Sequence, residues 1–429
     1  MTELLILVAS SPIYELTMWF LAGFPIVIAL LAINGSRQYL LDRSRDVTDG
    51  DFPHIEHLAL AREKWPVVSV VVPARNEESG LAQTIQAIRE LSWPRIELIV
   101  INDGSTDRTA DVILTERAVG DFQVITNPKA KGKSEALNEG LARATSDIVL
   151  ILDADARPAS NALNRMVPHL LEHEDIVAVT GNPRVANTKT LLAKLQAIEF
   201  TSTISTLRRG QSAWGRVNTM SGIMSVLRRK IVLEQGGFSA LQPTEDIELT
   251  WRLHREGYRC IYEPAAQVAM EVPESLGQWW KQRTRWSKGL VRVLQAHGFS
   301  VVRKWEWPVF PLLFEAITAI IWCHVLVLAT AFWILSAING LPAFGNSIVI
   351  GHWGAMTIGI SLLQILWGMH LDSNHDKNIT KLWPLAPLYP IVYWWLSAFA
   401  VIATTLPTLF TKPKVSSWSL LRKSPFSPN

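Results

Sequence analysis

Several groups of residues in this 429-residue chain have the types and spacing to do chemistry. Asp153 and Asp155 stand two residues apart, directly after the apolar run DIVLIL at 147–152. Two carboxylates so spaced at a strand exit reach one hard cation through oxygen ligands and leave its other positions to phosphate oxygens. Mg2+ and Mn2+ suit such a site, and no His or Cys cluster argues for zinc. Asp103 comes just after the run IELIVI at 96–101. It is placed either to accept the imide N–H of a uracil ring or to belong to a plain strand–turn–helix cap with Ser105 or Thr106. Glu245-Asp246 also reads in two ways. Acids in a first helical turn are favoured by the helix dipole, and a carboxylate there can equally act as a general base towards an acceptor hydroxyl. In Gln282-Arg283-Thr284-Arg285-Trp286, Arg285 either binds headgroups or steadies a departing diphosphate. Trp286 either anchors at an interface or stacks on a sugar face. Lys131-Gly132-Lys133-Ser134 resembles the tail of a P-loop, but Asn127 stands where the loop's first glycine belongs. It reads as a basic loop on a nucleotide or as a solvated turn.

The elements that position these residues are read from hydropathy. VVSVVV (67–72), IELIVI (96–101), DIVLIL (147–152) and IVAVT (176–180) are short, continuous apolar runs. Helix-like stretches at 79–91, 106–117, 133–145 and 160–172 separate them. Buried strands alternating with helices predict an α/β domain with a mostly parallel sheet, covered on both faces. Ligands of such sheets bind at the carboxyl ends of the strands. Arg75, Asn76 and Glu77, then Asp103, then Asp153 and Asp155, then Asn182 and Arg184 all sit just past strand ends. They converge on one edge. Further on, 188–208 reads as an amphipathic helix, IELTWRLHREGYRC as an amphipathic segment, and Tyr262-Glu263-Pro264 as a turn.

Apolar runs flank this domain. Residues 17–34 are long enough to span a bilayer, and Leu4–Val8 forms a shorter run that lies at an interface or pairs as a defective span. The start lacks a basic n-region and a small-residue cleavage site, so an anchor is expected rather than a cleaved signal. Arg37, Arg43 and Arg45 place residues from about 37 onward on the cytoplasmic side. Residues 275–304 hold seven Lys or Arg and no acid, with a Trp/Leu face, and read as an interfacial helix. Three apolar runs come next, at roughly 308–338, 348–371 and 384–410. One span each puts the C-terminus outside, whereas Lys412, Lys414, Arg422 and Lys423 favour inside; both readings stay open, and a third run broken by prolines could re-enter the bilayer and return. Glu315 and His370 are candidate groups lining a polar path, or else pair near the interface.

Composition agrees with a soluble domain attached to a few spans. Hydrophobic residues make up 48%, and 12 of the 18 tryptophans lie between Trp279 and Trp395, as an interfacial belt would require. A net charge of +3 carries no nucleic-acid signature. Two cysteines, Cys260 and Cys323, in unlike surroundings give no disulfide framework.

P-A-R-N-E-E (73–78), N-D-G-S-T-D (102–107), G-K-S-E-A-L-N (132–138), D-A-D (153–155), T-E-D (244–246) and Q-R-T-R-W (282–286) resemble the ordered motif set of processive family 2 glycosyltransferases. These are the membrane synthases of cellulose, chitin, hyaluronan and poly-N-acetylglucosamine. T-G-N-P-R-V (180–185), S-G-I-M-S-V-L-R-R (221–229) and W-K-Q-R-T-R-W (280–286) look most similar to the poly-β-1,6-N-acetylglucosamine branch, although Ser287-Lys288-Gly289 replaces its usual Ala-Gln-Gly. The resemblance implies a GT-A, Rossmann-like domain inserted between transmembrane helices, in a bacterial inner membrane with the catalytic domain cytoplasmic. The expected divisions are an anchor at 1–45, the GT-A domain at 46–270, interface helices at 271–307, transmembrane helices at 308–411 and a tail at 412–429.

By the same resemblance, Arg75, Glu77, Asp103, Lys133 and Asp153 hold uridine and phosphates. Asp155, with Asp153, holds Mg2+ or Mn2+. Asp246, beside Glu245, is the base, and Gln282, Arg285 and Trp286 bind the acceptor end and the diphosphate. The implied partners are a UDP-sugar donor, a growing polysaccharide, the bilayer and a small membrane subunit. Competing expectations are non-processive transfer of a sugar to a lipid phosphate, and a nucleotide-binding membrane scaffold without activity.

Overall fold

The computed structural model describes residues 2–46, 64–341, 354–373, 376, 378–415 and 418, with 42–46 as backbone only. The side chains of Arg43, Arg45, Arg422 and Lys423 therefore lie outside the described residues. The strands are β1 Val68–Ala74, β2 Ile96–Asp103, β3 Gln123–Asn127, β4 Ile148–Leu152, β5 Arg157–Pro158, β6 Ile176–Val185, β7 Met224–Arg228 and β8 Arg259–Met270. They form one eight-stranded sheet in the order β3-β2-β1-β4-β7-β6-β8-β5. β3, β2, β1 and β4 run parallel, and so do β6 and β8. β7 is antiparallel to both β4 and β6, and β5 is antiparallel to β8. The expected mostly parallel sheet is thus present, with antiparallel insertions on one side.

The period of two along each strand divides the core. Val70 and Val72 pack with Leu81, Ile85, Met166 and Leu170 on one face. Val71, Ile99 and Ile101 pack with Leu137, Leu141, Leu249 and Leu253 on the other. Helices Leu81–Arg89 and Ala162–Glu172 thereby cover one face, and Lys133–Arg143 and Glu245–Arg255 the other.

The Tyr262-Glu263-Pro264 turn is corrected. These residues lie within β8, where its pairing with β6 jumps from Thr180↔Tyr262 to Asn182↔Gln267. The expected turn is a bulge, closed by Asn182 Nδ2 donating to the Pro264 carbonyl at 2.8 Å.

Outside the sheet, four helical segments among the described residues are long and apolar enough to cross a membrane: Pro12–Leu41, Phe310–Ile338, Gly354–Ser373 and Tyr389–Leu409. Leu4–Val8 falls in a separate eight-residue helix, Thr2–Ala9, far too short to span. Small residues bring the long helices onto the α/β domain. A Cβ on Gly35 would lie 2.7 Å from Gly210 Cα, and one on Gly368 would lie 2.6 Å from Ser202 Cα. At the same junction, Asp372 meets both Arg184 (2.8 Å) and Arg209 (2.5 Å). Glu315 accepts from Gln211 at 3.2 Å, which puts it against the α/β domain. His370 is exposed.

The last apolar helix, Trp394–Leu409, lies along helix Leu276–Val293. Tyr393 at its start accepts from Trp279 (2.8 Å), Thr404 donates to Ser287 (2.7 Å), and Thr411 just past its end accepts from Arg292 (2.7 Å). Both of its ends therefore contact the segment that carries Q-R-T-R-W.

Candidate active site

The parallel strands end in loops that are stitched together. Asn76, after β1, takes a positive φ of 57°, unusual for a residue with a side chain. Its Oδ1 accepts from Thr106 N at 2.8 Å, and its own N donates to Ser105 Oγ at 3.1 Å. Glu77 N donates to Thr109 Oγ1 (2.8 Å) and Glu78 N to Asp107 (3.2 Å). Asn76, Ser105, Asp107 and Thr109 thus hold the first two loops in register. Beside them the buried Arg75 Nε has no hydrogen-bond partner.

Asp103 is fully buried. Gly104, at φ +64°, lets the next loop approach so closely that a Cβ there would lie 2.4 Å from Ala130 N. That approach delivers the Lys131 N–H (2.9 Å) and Gly132 N–H (2.8 Å) to the Asp103 carboxylate, joined by Asn127 Nδ2 at 3.0 Å. A fourth donor comes from the C-terminal tail: the Trp418 indole N–H, at 2.5 Å. Burial works to raise the Asp103 pKa, but the Lys131 N–H, the Trp418 indole and the other donors outweigh it and hold the carboxyl below its usual range. A planar ring N–H therefore has access to this carboxylate.

Lys133 opens helix Lys133–Arg143 and is partly buried and paired. Its Nζ sits 2.7 Å from Asp153 and 3.3 Å from Glu245. Burial disfavours its charge, yet Asp153, Glu245 and Asp246 together raise its pKa above the lysine norm. It is the cation around which three carboxylates gather.

Asp246 lies in the first turn of helix Glu245–Arg255. Its carboxylate accepts from Gly222 N (3.1 Å) and Ile247 N (2.9 Å). A Cβ on Gly222 would lie 3.2 Å from Lys133 Nζ and 3.4 Å from Asp246 Oδ2, so this glycine keeps the two groups close. Burial, then the charge of Glu245, push the Asp246 pKa up; Lys133 and the two N–H donors offset this only in part.

The Q-R-T-R-W helix, Leu276–Val293, crosses this helix start. A Cβ on Gly289 would lie 2.1 Å from Thr244 Oγ1, so only glycine permits the contact. The His297–Glu248 pair (3.1 Å) and the Arg255–Glu306 pair (2.7 Å) hold the same crossing further along. Arg285 donates to the Pro243 carbonyl at 3.2 Å. Arg285 Nε, Gln282 Oε1, Thr244 Oγ1 and Gln242 Oε1 are all buried without a partner. These four buried polar atoms lie on the crossing helix and on the stretch just before Glu245. Arg285 also lines a cleft of about 600 Å3 with Lys281, Lys288, Arg292, Lys412 and Lys414, and with no acidic residue. Gly289→Val is expected to force the helices apart, lower stability by about 1–3 kcal/mol and abolish activity; the melting temperature and a turnover assay check it.

For a metal, the donor set fits in part. Among the described residues no three acidic, His or Cys side chains form a cage. Asp153 is paired with Lys133 at 2.7 Å, and Asp155 is half-buried beside the start of helix Leu81–Arg89. Hard cations of the Mg2+ type need only one or two protein carboxylates when phosphate oxygens complete the shell.

The structure brings some of the sequence-predicted residues together directly and leaves Asp103, with Arg75 and Glu77 at the strand-end loops, apart from them. Lys133, Asp153, Glu245 and Asp246 are joined directly by charge. Arg285 and Gln282 arrive on the crossing helix docked at Thr244. Sequence reasoning missed Gly222, Gly289, Glu199 and Trp418. Gly222, within S-G-I-M-S-V-L-R-R, and Gly289, within Ser287-Lys288-Gly289, stood in or beside quoted motifs, but neither was singled out.

A family model for glycosyltransferase like family 2 matches residues 66–289. The chain belongs to glycosyltransferase family 2. This glycosyltransferase is 31% identical over 405 residues to the poly-beta-1,6-N-acetyl-D-glucosamine synthase of Staphylococcus epidermidis, covering 93% of this chain and 97% of that protein. It is 32% identical, with the same coverage, to the synthase of the same name from Staphylococcus aureus strain COL. Among solved structures, it resembles a mannosyltransferase from Pyrobaculum calidifontis in complex with GDP-Man and Mn2+. The TM-score is 0.65 at 22% identity, over 92% of this chain and 99% of that one. That last likeness is one of fold, and it agrees with a GT-A-like sheet between apolar helices.

Proposed function

We propose that this glycosyltransferase polymerises N-acetylglucosamine from UDP-GlcNAc by inverting, processive transfer, from the cytoplasmic face of a bacterial inner membrane. The polymer is a poly-β-1,6-N-acetylglucosamine of the biofilm type, delivered through the membrane. The observation that carries the reading is the cluster of Lys133, Asp153, Glu245 and Asp246 at the helix start onto which the Gln282–Trp286 helix docks through Pro243 and Thr244. The named relatives, similar over nearly the whole chain, support the choice of sugar.

In this mechanism Asp103 accepts the uracil imide N–H from the side now taken by the Trp418 indole, which the base displaces. Arg75 and Glu77 complete the uridine pocket, and Lys133 faces the phosphates. Asp155 with Asp153 would hold Mg2+ or Mn2+, whose charge offsets that of the diphosphate. Asp246 takes the proton of the acceptor hydroxyl. That oxygen forms a bond to the anomeric carbon from the face opposite UDP, and the bond from carbon to the diphosphate oxygen breaks. Arg285 receives the charge that develops on the leaving group, and Trp286 stacks on the acceptor sugar. No second acid is needed, because a diphosphate leaves as an anion.

The raised Asp246 pKa fits a general base, which works best when its pKa approaches the operating pH. Asp246 must be ionised to take a proton, so kcat/KM falls as pH drops through that raised pKa. The pH profile of UDP release at saturating Mg2+ checks this, and a rate that climbs on acidification would rule Asp246 out. EDTA is expected to stop UDP release, with recovery on adding Mg2+ or Mn2+; full activity in EDTA would remove the metal from the scheme.

Both ends of helix Trp394–Leu409 meet helix Leu276–Val293, and Trp418 reaches Asp103. This supports a C-terminal tail on the same side as the catalytic domain, as Lys412 and Lys414 suggest. Product length is the direct test of processivity. A long polymer from purified protein is expected, and a single-sugar lipid as sole product would overturn it.

A further inference from the structure

Arg283 lies inside the Q-R-T-R-W motif, yet its two Nη groups are not available to phosphate. They donate to both carboxylate oxygens of Glu199, at 2.8 and 2.5 Å. The Tyr393 hydroxyl donates to the same carboxylate at 3.0 Å and itself accepts from the Trp279 indole at 2.8 Å. Glu199, Arg283, Tyr393 and Trp279 are all buried, between 0% and 8% exposed. A buried ion pair is costly to desolvate and is weak evidence of stability by itself; a role in fixing one geometry is the better attested use.

The geometry here has a clear object. The Arg283 guanidinium lies 4.5 Å from the centre of the Trp286 ring, one helical turn on. Phe200 meets the same ring edge-on at 6.3 Å. Glu199 and Phe200 open the π-helical segment Glu199–Ile204, and Tyr393 closes the π-helical segment Tyr389–Tyr393 that leads into the last apolar helix. Such segments recur at functional sites because the extra residue re-aims side chains.

We propose that Arg283, clamped by Glu199 and Tyr393, is a positioning residue: it sets the attitude of the Trp286 ring towards the acceptor sugar and ties it to the last apolar helix. This rests on the acceptor-stacking role of Trp286 in the proposed mechanism. It assigns Arg283 no contact with donor, and it makes the lie of the membrane segment a determinant of acceptor binding.

The test uses the purified full-length protein in lipid nanodiscs with UDP-GlcNAc and a β-1,6-linked N-acetylglucosamine oligomer as acceptor. Tyr393→Phe removes one hydroxyl and keeps the ring; Glu199→Gln removes the charge. Each is expected to raise the KM for the oligomer about tenfold, the scale of one hydrogen bond to a charged group. Each is also expected to shorten the product chains, with the donor KM and UDP release without acceptor within about twofold of the parent. The double variant Glu199→Arg with Arg283→Glu should recover part of the loss. Unchanged oligomer KM and chain length in Tyr393→Phe would overturn the proposal. So would a fall in kcat alone that tracks a lowered melting temperature. If the parent itself makes no polymer, the functional reading fails; if the parent polymerises and the variants match it, only this inference fails.

Discussion

Asp246→Asn should retain donor binding and lose transfer by about 10²-fold or more, the range for removing a general base. The substitution is nearly isosteric. One amide oxygen still accepts a backbone N–H, and the amide NH2 faces either Gly222 N or Ile247 N, so a modest stability loss accompanies it. Two readouts separate these effects. The affinity for UDP, measured by calorimetry, should stay within about twofold, because Asp103 and the loops around it are untouched. UDP release in the presence of acceptor should collapse. Substantial polymer synthesis by this variant would show that the carboxylate only caps its helix. Glu245→Gln serves as the contrast. Glu245 is buried and paired with Lys133 at 3.3 Å, so its loss should act through Lys133 and the donor KM more than through the proton transfer.

Arg285→Ala is the second large expectation. Arg285 holds the Pro243 carbonyl with one nitrogen, and its buried Nε has no partner. In the proposed mechanism Arg285 meets the charge that develops on the departing diphosphate, and so acts mainly in the transition state. Its removal should lower kcat about 10²–10³-fold with a smaller change in donor KM. Arg285→Lys should recover only part of that, because lysine supplies the charge without the planar pair of donors. A variant with normal kcat and a raised donor KM would instead make Arg285 a simple binding cation, one of several in the basic cleft.

The parallel part of the sheet was legible because β1, β4 and β6 are apolar runs buried on both faces, as is β2 from Ile99 onward, a pattern with few alternatives. The strands not foreseen have other causes. β3 is a half-exposed edge strand, β7 runs antiparallel inside a motif without punctuation, and β8 alternates in burial around a proline bulge. The charged candidate residues were named from their places at strand ends and in ordered motifs. Gly222 and Gly289 were not, since a glycine's necessity shows only when the neighbour that would clash is in place. Glu199 and Trp418 were hidden for a similar reason: their partners are 84 and 315 residues away.

The most direct test of the central claim is to incubate the purified protein in lipid with Mg2+ and a panel of UDP-sugars, measuring UDP release and product mass together. UDP release with UDP-GlcNAc above the other sugars is expected, with a product ladder spaced by one N-acetylhexosamine. No UDP release with any nucleotide sugar, or a product bearing a single sugar on lipid, would contradict the assignment.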